Sequence, residues 1–315
     1  MIRLFLLRLA GAVPVLALVS LVSFGLMRLI PGDPSAAIAG LSATAQQIAQ
    51  IREQLGLDQP VLTQAANWYW ALLHGDLGRS ILLGQSVFWA TVERLPITLA
   101  LSAYALAITL VLGIGSGVLA ALRQNTWVDQ AAMMLAMLGI SIPNFFLGLL
   151  GIIWFAVGLG WLPTGGYIAF FDSPLGWLRT STMPAVSLAL LNIGLLARVT
   201  RSTMLEVLRQ DYVRTARAKG LPGYLVVGKH ALANAMIPIT TVVGIIISLL
   251  VSGSVVTETL FSIPGIGQLL TSAVLGRDYP MVQGGLLLVT SLLVLINLGV
   301  DMMYAVLDPR IRYGR

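Results

Sequence analysis

Six stretches with little or no charge alternate with polar segments along the chain, at about residues 9–30, 95–122, 131–160, 182–201, 235–257 and 281–305. A helix needs roughly 20 apolar residues to cross a bilayer, and each stretch meets or approaches that length. The pattern predicts an all-α, polytopic membrane protein with six transmembrane helices. The second and third stretches hold no charged residue. The third is longer than a perpendicular crossing requires and contains Pro143, which predicts a kinked or tilted span. The fourth offers only about 15 uncharged residues before Arg198. The first has an apolar run of about 22 residues, too long for a signal-peptide core, and reads as an uncleaved helix.

The polar segments carry the rest of the information. In residues 31–94, Ile48, Ile51 and Leu55 recur at helical spacing, as do Val61, Ala65, Trp68 and Leu72 after the turn signal Asp58-Gln59-Pro60. Trp68, Tyr69 and Trp70 suit a lipid–water interface. Two compatible readings stand: helices lying on the membrane, and a surface where a substrate-delivery protein docks. Residues 202–234 hold the densest charge in the chain. They read as a short helix, a turn at Gly220-Leu221-Pro222-Gly223, and a second helix. On the first, Met204, Leu205, Leu208, Tyr212, Thr215 and Ala216 form a semi-apolar stripe, crowded by Arg209, Arg214, Arg217 and Lys219. Attraction to anionic lipid explains the charge. It does not explain the length, since a mere connector would be far shorter.

Composition agrees with this class: 57% of residues are hydrophobic and 10% charged, against roughly 25% charged in soluble domains. The net charge of +6 fits the positive-inside bias better than nucleic-acid binding. With the N-terminus inside, 13 of the 19 Lys and Arg residues fall on the cytoplasmic side, so both termini are expected there. No cysteine is present and the histidines are His74 and His230 alone, so no disulfide and no metal site is expected.

A phosphate-binding loop needs Gly-Lys followed by Ser or Thr. Lys219 and Lys229 precede Gly220 and His230, so any ATP must be hydrolysed by another polypeptide. The glycines of Gly113-Ile114-Gly115-Ser116-Gly117 lie inside the second stretch, where small residues let helices approach. Arg28 near the outer end of the first stretch can snorkel to the surface, and Asp301 lies near the inner end of the sixth. No carboxylate is expected deep in a span, which argues against an ion-coupled transporter.

Several segments, in order, carry a family resemblance: RLIPGDP, LGLDQPV, GDLGRS, ISIPNFFLG, DYVRTARAKGL, KHALANAMIP, ETLFSIPGIG, GRDYPMVQG and DPRIRY. The chain resembles the binding-protein-dependent permeases of ABC importers, in the dipeptide/oligopeptide/nickel branch. The resemblance implies a type I ABC importer permease fold. Residues 1–30 would be the first transmembrane helix, 31–94 a periplasmic helical insertion, 95–306 the transmembrane domain with five further spans, and 307–315 a cytoplasmic tail. It implies that 202–234 is the loop plugging into an ATPase subunit, with Tyr212, Arg214, Thr215, Ala216, Arg217, Lys219 and Gly220 as contact residues. Only Ala216 and Gly220 match the wider superfamily's Glu-Ala-Ala…Gly pattern, while Thr-Ala-Arg-Ala-Lys-Gly looks like the peptide branch. Glu258, Pro264, Gly265 and Gly267 would belong to an external loop folding back over the pore mouth, with an ordinary turn as the other reading. Composition alone suggests Ser141, Asn144, Asn192, Thr240 and Asn297 as pore-lining residues.

The implied function is ATP-driven import of di- or oligopeptides across a bacterial inner membrane, with nickel chelates or glutathione as alternative cargo. The implied partners are a second, homologous permease subunit in a heterodimer, two ATPase subunits carrying ATP and magnesium, and a periplasmic or lipid-anchored solute-binding protein, all within membrane lipid. A stand-alone channel or an intramembrane enzyme are the readings from other classes.

Overall fold

The computed structural model describes residues 2–29, 35–36, 43–54 and 56–307. Nearly all of the expected tail, most of RLIPGDP, and the side chain of Asp301 fall outside what is described. Among the described residues every regular element is helical, and the sole extended pairing is an isolated bridge between Arg79 and Ser86. Five helices are long and apolar enough to cross a membrane, and a bent pair makes a sixth span if counted as one.

The chain divides into two compact units. The first covers residues 97–264 with the chain from 296 onward. It contains most of α5 (Leu95–Leu122), then α6 (Trp127–Ser141), α7 (Asn144–Gly151, continued by a π-helix Ile152–Gly158), α8 (Pro174–Leu208), α9 (Asp211–Ala218) and α10 (Ala233–Leu260). A helical turn Gly223–Leu225 and a π-helix Val226–Leu232 lead into α10. Leu101, Leu188, Leu196, Ile239, Ile246 and Phe261 are among its core residues.

The third expected span is broken rather than kinked. The ring of Pro143 disfavours helical backbone at the preceding residue, and Ile142 is extended at φ −100°, ψ 129°. Pro143 caps α7, whose axis departs from that of α6 by 102°. The fourth span is longer than expected: α8 runs 35 residues, because Arg198 and Arg201 do not end it. Small buried residues (Ser181, Ala185, Ala189, Gly194, Ala197) form a stripe along it. Against that stripe, a Cβ on Gly139 would sit 2.9 Å from the Leu190 carbonyl oxygen, and one on Gly117 2.6 Å from that of Ala197. Close backbone approach of this kind is how membrane helices associate when no hydrophobic drive separates helix from lipid. Gly113 and Gly117 are therefore packing residues, as read from their spacing, whereas Gly115 faces open space.

The second unit covers residues 2–96 and 265–295: α1 (Ile2–Leu29), α2 (Ala45–Gln54), α3 (Val61–Leu73), α4 (Val87–Val92), α11 (Ile266–Leu275) and the first half of α12 (Tyr279–Leu307). The two helices expected in 31–94 are α2 and α3. Phe24 of α1 stacks on Trp68 of α3, ring centroids 5.6 Å apart, and the Tyr69 hydroxyl lies 3.3 Å from that of Ser20. Val87 and Ala90 of α4 pack on Leu269, Ala273, Met281 and Val282. The Asp278 carboxylate accepts from the Ser80 hydroxyl at 2.5 Å and from the Leu82 and Met281 amides.

Candidate functional site

The charged connection between α8 and α10 is shorter than 202–234. Residues to Leu208 continue α8, and helix resumes at Gly223. Only α9, eight residues long, stands alone between them. The stripe drawn on one helix is split by the break at Arg209 and Gln210, and Met204 belongs to the core of the helical bundle.

α9 ends in a Schellman motif. The Gly220 amide donates to the Arg217 carbonyl at 2.9 Å, and the Leu221 amide reaches back to Ala216 at 3.3 Å. That closure needs a left-handed residue, and Gly220 has φ +75°. Pro222 then starts the next helix.

The two faces of α9 differ. Val213 and Ala216 point inward and pack on Val226, Val207 and Leu208. This corrects the expectation for Ala216, which is 6% exposed and wedged against the chain's own helix ends. With one apolar residue per turn, the helix can bury only that narrow strip. The outer face carries Tyr212, Arg214, Thr215, Arg217 and Lys219, all exposed. Thr215 bonds its own helix, its hydroxyl donating to the Asp211 carbonyl at 2.9 Å. Arg214 lies 3.6 Å from Asp211, a solvent-exposed pair of little energetic weight. The exposed face thus carries an aromatic ring and three cations beside the single acid Asp211.

A second arrangement surrounds the end of α10. Glu258 lies in its last turn, fully buried, and accepts from the Thr98 hydroxyl at 2.7 Å. Beyond it the chain reverses at Ser262, whose φ is +53°. The reversal does not use the glycines expected for it: Gly265 is extended at the cap of α11, and Gly267 is helical. Phe261 is buried there, and its carbonyl accepts from the Gly166 amide at 2.8 Å. A Cβ on Gly165 would meet the same carbonyl oxygen at 2.6 Å, so the 165–166 segment can lie on this turn only as glycine. α11 follows as a ten-residue apolar helix, too short to cross a bilayer.

The five pore-lining candidates sit on five different helices. Ser141 ends α6 and bonds Met137, Asn144 opens α7 and accepts from Phe145, and Thr240 bonds Met236 within α10. Asn297 of α12 bonds Ser248 of α10. Asn192 is buried on α8, its amide donating to Leu188 while its Oδ1 has no partner. A groove of about 530 Å³ beside α6 and α8 is almost wholly apolar and lined by none of the five.

One site was missed by the sequence. Arg201 of α8 makes two hydrogen bonds to the buried Asp129 of α6, at 2.5 and 2.6 Å. Asp129 lies just ahead of the uncharged stretch that begins at residue 131, and it also accepts from the Asn125 amide. A lone carboxylate at the edge of an apolar run was the available signal.

Two family models match the chain. The "binding-protein-dependent transport system inner membrane component" matches residues 113–313, and the N-terminal part of such membrane components matches residues 1–102. A Brucella abortus (strain 2308) protein named as a peptide transport system permease is 51% identical over 99% of this chain and all of its own length. The dipeptide transport system permease protein of Alkalihalophilus pseudofirmus is 39% identical, covering 97% of this chain and 98% of that one. The glutathione transport system permease protein of Salmonella choleraesuis is 42% identical over 97% of each. Among solved structures, the MetNI methionine ABC transporter in an inward-facing conformation aligns over 70% of this chain and 97% of that one, with TM-score 0.56 and 19% identity.

Proposed function

This chain belongs to the inner membrane components of binding-protein-dependent transport systems, and on that premise we propose that it is a pore-forming permease subunit of an ATP-driven peptide importer. The observation that carries the coupling role is the two-faced build of α9. Its inner face is fixed on the ends of α8 and the helix leading into α10, while its outer face presents Tyr212, Arg214, Arg217 and Lys219. A push on that face would pass directly into two membrane helices. The cations suit an acidic partner surface.

In this reading two separate ATPase subunits bind ATP and magnesium and dock on α9. A second, homologous permease subunit supplies the other half of the pathway, and a solute-binding protein delivers cargo from outside. Both termini and residues 202–234 face the cytoplasm, as the distribution of Lys and Arg supports. Glu258 and the turn to Pro264, with the Gly165–Gly166 contact, form the external closure. Alternating access then moves helices around a fixed path. The relative named for glutathione, itself a peptide of unusual linkage, supports glutathione as a second cargo reading.

Reconstitution tests the proposal. The chain alone should neither hydrolyse ATP nor pass peptide. With the three kinds of partner, peptide uptake should depend on ATP. Substantial flux through the lone chain would favour a channel.

A further inference from the structure

We propose that the cavity beside Arg28 is a binding site for the phosphate of an anionic phospholipid headgroup. The cavity, about 250 Å³, lies wholly within the second unit. Among its lining residues are Arg28, Gln64, Asn67, Trp68, Tyr279 and Gln283. Every one of these can donate a hydrogen bond, and among the described residues the lining contains no carboxylate.

Arg28 sits in the last turn of α1, where a long cationic side chain reaches the headgroup layer. Its guanidinium lies over the Phe24 ring at 3.5 Å. It donates to the Phe24 carbonyl at 2.8 Å and to Gln64 Oε1 at 2.6 Å. Both acceptors are neutral, and among the described residues no carboxylate pairs with it. A guanidinium has five N–H groups in a planar fork, so donors remain for an oxyanion, and phosphate, like carboxylate, is an oxyanion that fork fits bidentately.

The setting selects lipid over a free solute. Trp68 and Tyr69 form an aromatic patch with Phe24, the composition that suits a lipid–water interface. Below it, α1 exposes Val13, Leu18, Leu21 and Val22, a bed along which an acyl chain can lie while its headgroup reaches the cavity. The inference does not depend on peptide transport, so its test and the reconstitution above can fail separately.

The test is lipid retention by the assembled membrane complex in nanodiscs of mixed phosphatidylglycerol and phosphatidylcholine, read by native mass spectrometry after partial delipidation. The unaltered complex should keep phosphatidylglycerol in preference to phosphatidylcholine. Arg28→Gln should weaken that preference by about tenfold, equivalent to about 1.4 kcal/mol. Arg179→Gln, exposed and in the other unit, should leave it intact. If Arg28→Gln does not assemble, Asn67→Asp places a carboxylate in the cavity and should weaken the preference at least as much, with Arg28→Lys intermediate. Equal retention by the unaltered and altered complexes would overturn the proposal. So would displacement of the lipid by millimolar glycerol phosphate or dipeptide, which would assign the cavity to a soluble anion.

Discussion

Arg201 holds Asp129 through two hydrogen bonds from adjacent guanidinium nitrogens, and the carboxylate they reach is 3% exposed. The pair ties α8 to the first turn of α6, well below the crossing at Gly139 and Gly194. α6 is thus fixed to α8 at two heights, and the end of α8 carries α9. Removing one partner of a buried ion pair costs about 3–5 kcal/mol, because the other is left charged and dry. Arg201→Ala strands the buried Asp129 carboxylate and should lower the stability of the purified complex by an amount approaching that order. Asp129→Ala should cost less, because the Arg201 side chain is 26% exposed and stays hydrated. The double variant Asp129→Ala with Arg201→Ala should lose less than the sum of the two single losses. Thermal unfolding of the four proteins measures it, and a coupling energy near zero would contradict the assigned contact.

Gly220 and Ala216 should respond differently to substitution. Gly220 needs a positive φ but has open space where a Cβ would stand, so Gly220→Asn should be tolerated better than Gly220→Val. Ala216→Glu forces a carboxylate against Val213 and Val226 and should disrupt α9 itself, costing about 1–3 kcal/mol for overpacking alone. Protease protection of residues 209–222 in the isolated chain separates the two cases. Undiminished protection in Ala216→Glu would contradict its inward placement.

Thr98→Val removes one donor from the buried Glu258 side chain while keeping the shape of the threonine. Leaving a buried polar acceptor short of a partner costs about 1–3 kcal/mol. Thermal stability should fall by that order in Thr98→Val and by less in Thr98→Ser, which keeps the hydroxyl. Equal effects of the two would point to packing.

Topology can be read with single cysteines, since the chain has none of its own. Gly223→Cys should be shielded from an impermeant thiol reagent outside intact spheroplasts, whereas Gln59→Cys and Phe171→Cys should react. Gly166 is a poor reporter, because its φ is +95° and its amide is bonded to Phe261. Phe171 is 96% exposed and avoids that strain. Labelling of Gly223→Cys from outside would reverse the orientation.

The helical class and the number of apolar segments were legible in the sequence because lipid imposes one requirement, length without charge, which composition reports directly. The turn at Gly220 was legible for a similar reason: a glycine before Leu-Pro marks a helix end whatever surrounds it. The inward face of Ala216 was not, since a small residue is equally suited to a foreign groove and to its own chain. The break at Pro143 was half visible. Proline signals a disturbance, but only neighbouring helices decide between a bend and a 102° turn. The reversal at Ser262 was hidden because a serine with positive φ has no sequence signature, while the adjacent glycines drew attention without serving the turn. Asp129 was missed because burial of a carboxylate depends on a partner 72 positions away.

The central claim is that α9 transmits work from separate ATPases to the membrane helices. It is tested most directly by peptide uptake and peptide-stimulated ATP hydrolysis in proteoliposomes holding equal amounts of assembled complex. Thr215→Glu and Tyr212→Glu alter only the exposed face of α9 and place negative charge where a partner is expected to be acidic. Each should cut ATP-driven uptake by about tenfold or more, the equivalent of about 1.4 kcal/mol at the joint, with membrane insertion and cargo capture by the binding protein intact. Uptake and stimulated hydrolysis equal to those of the unaltered complex in both variants would contradict the account.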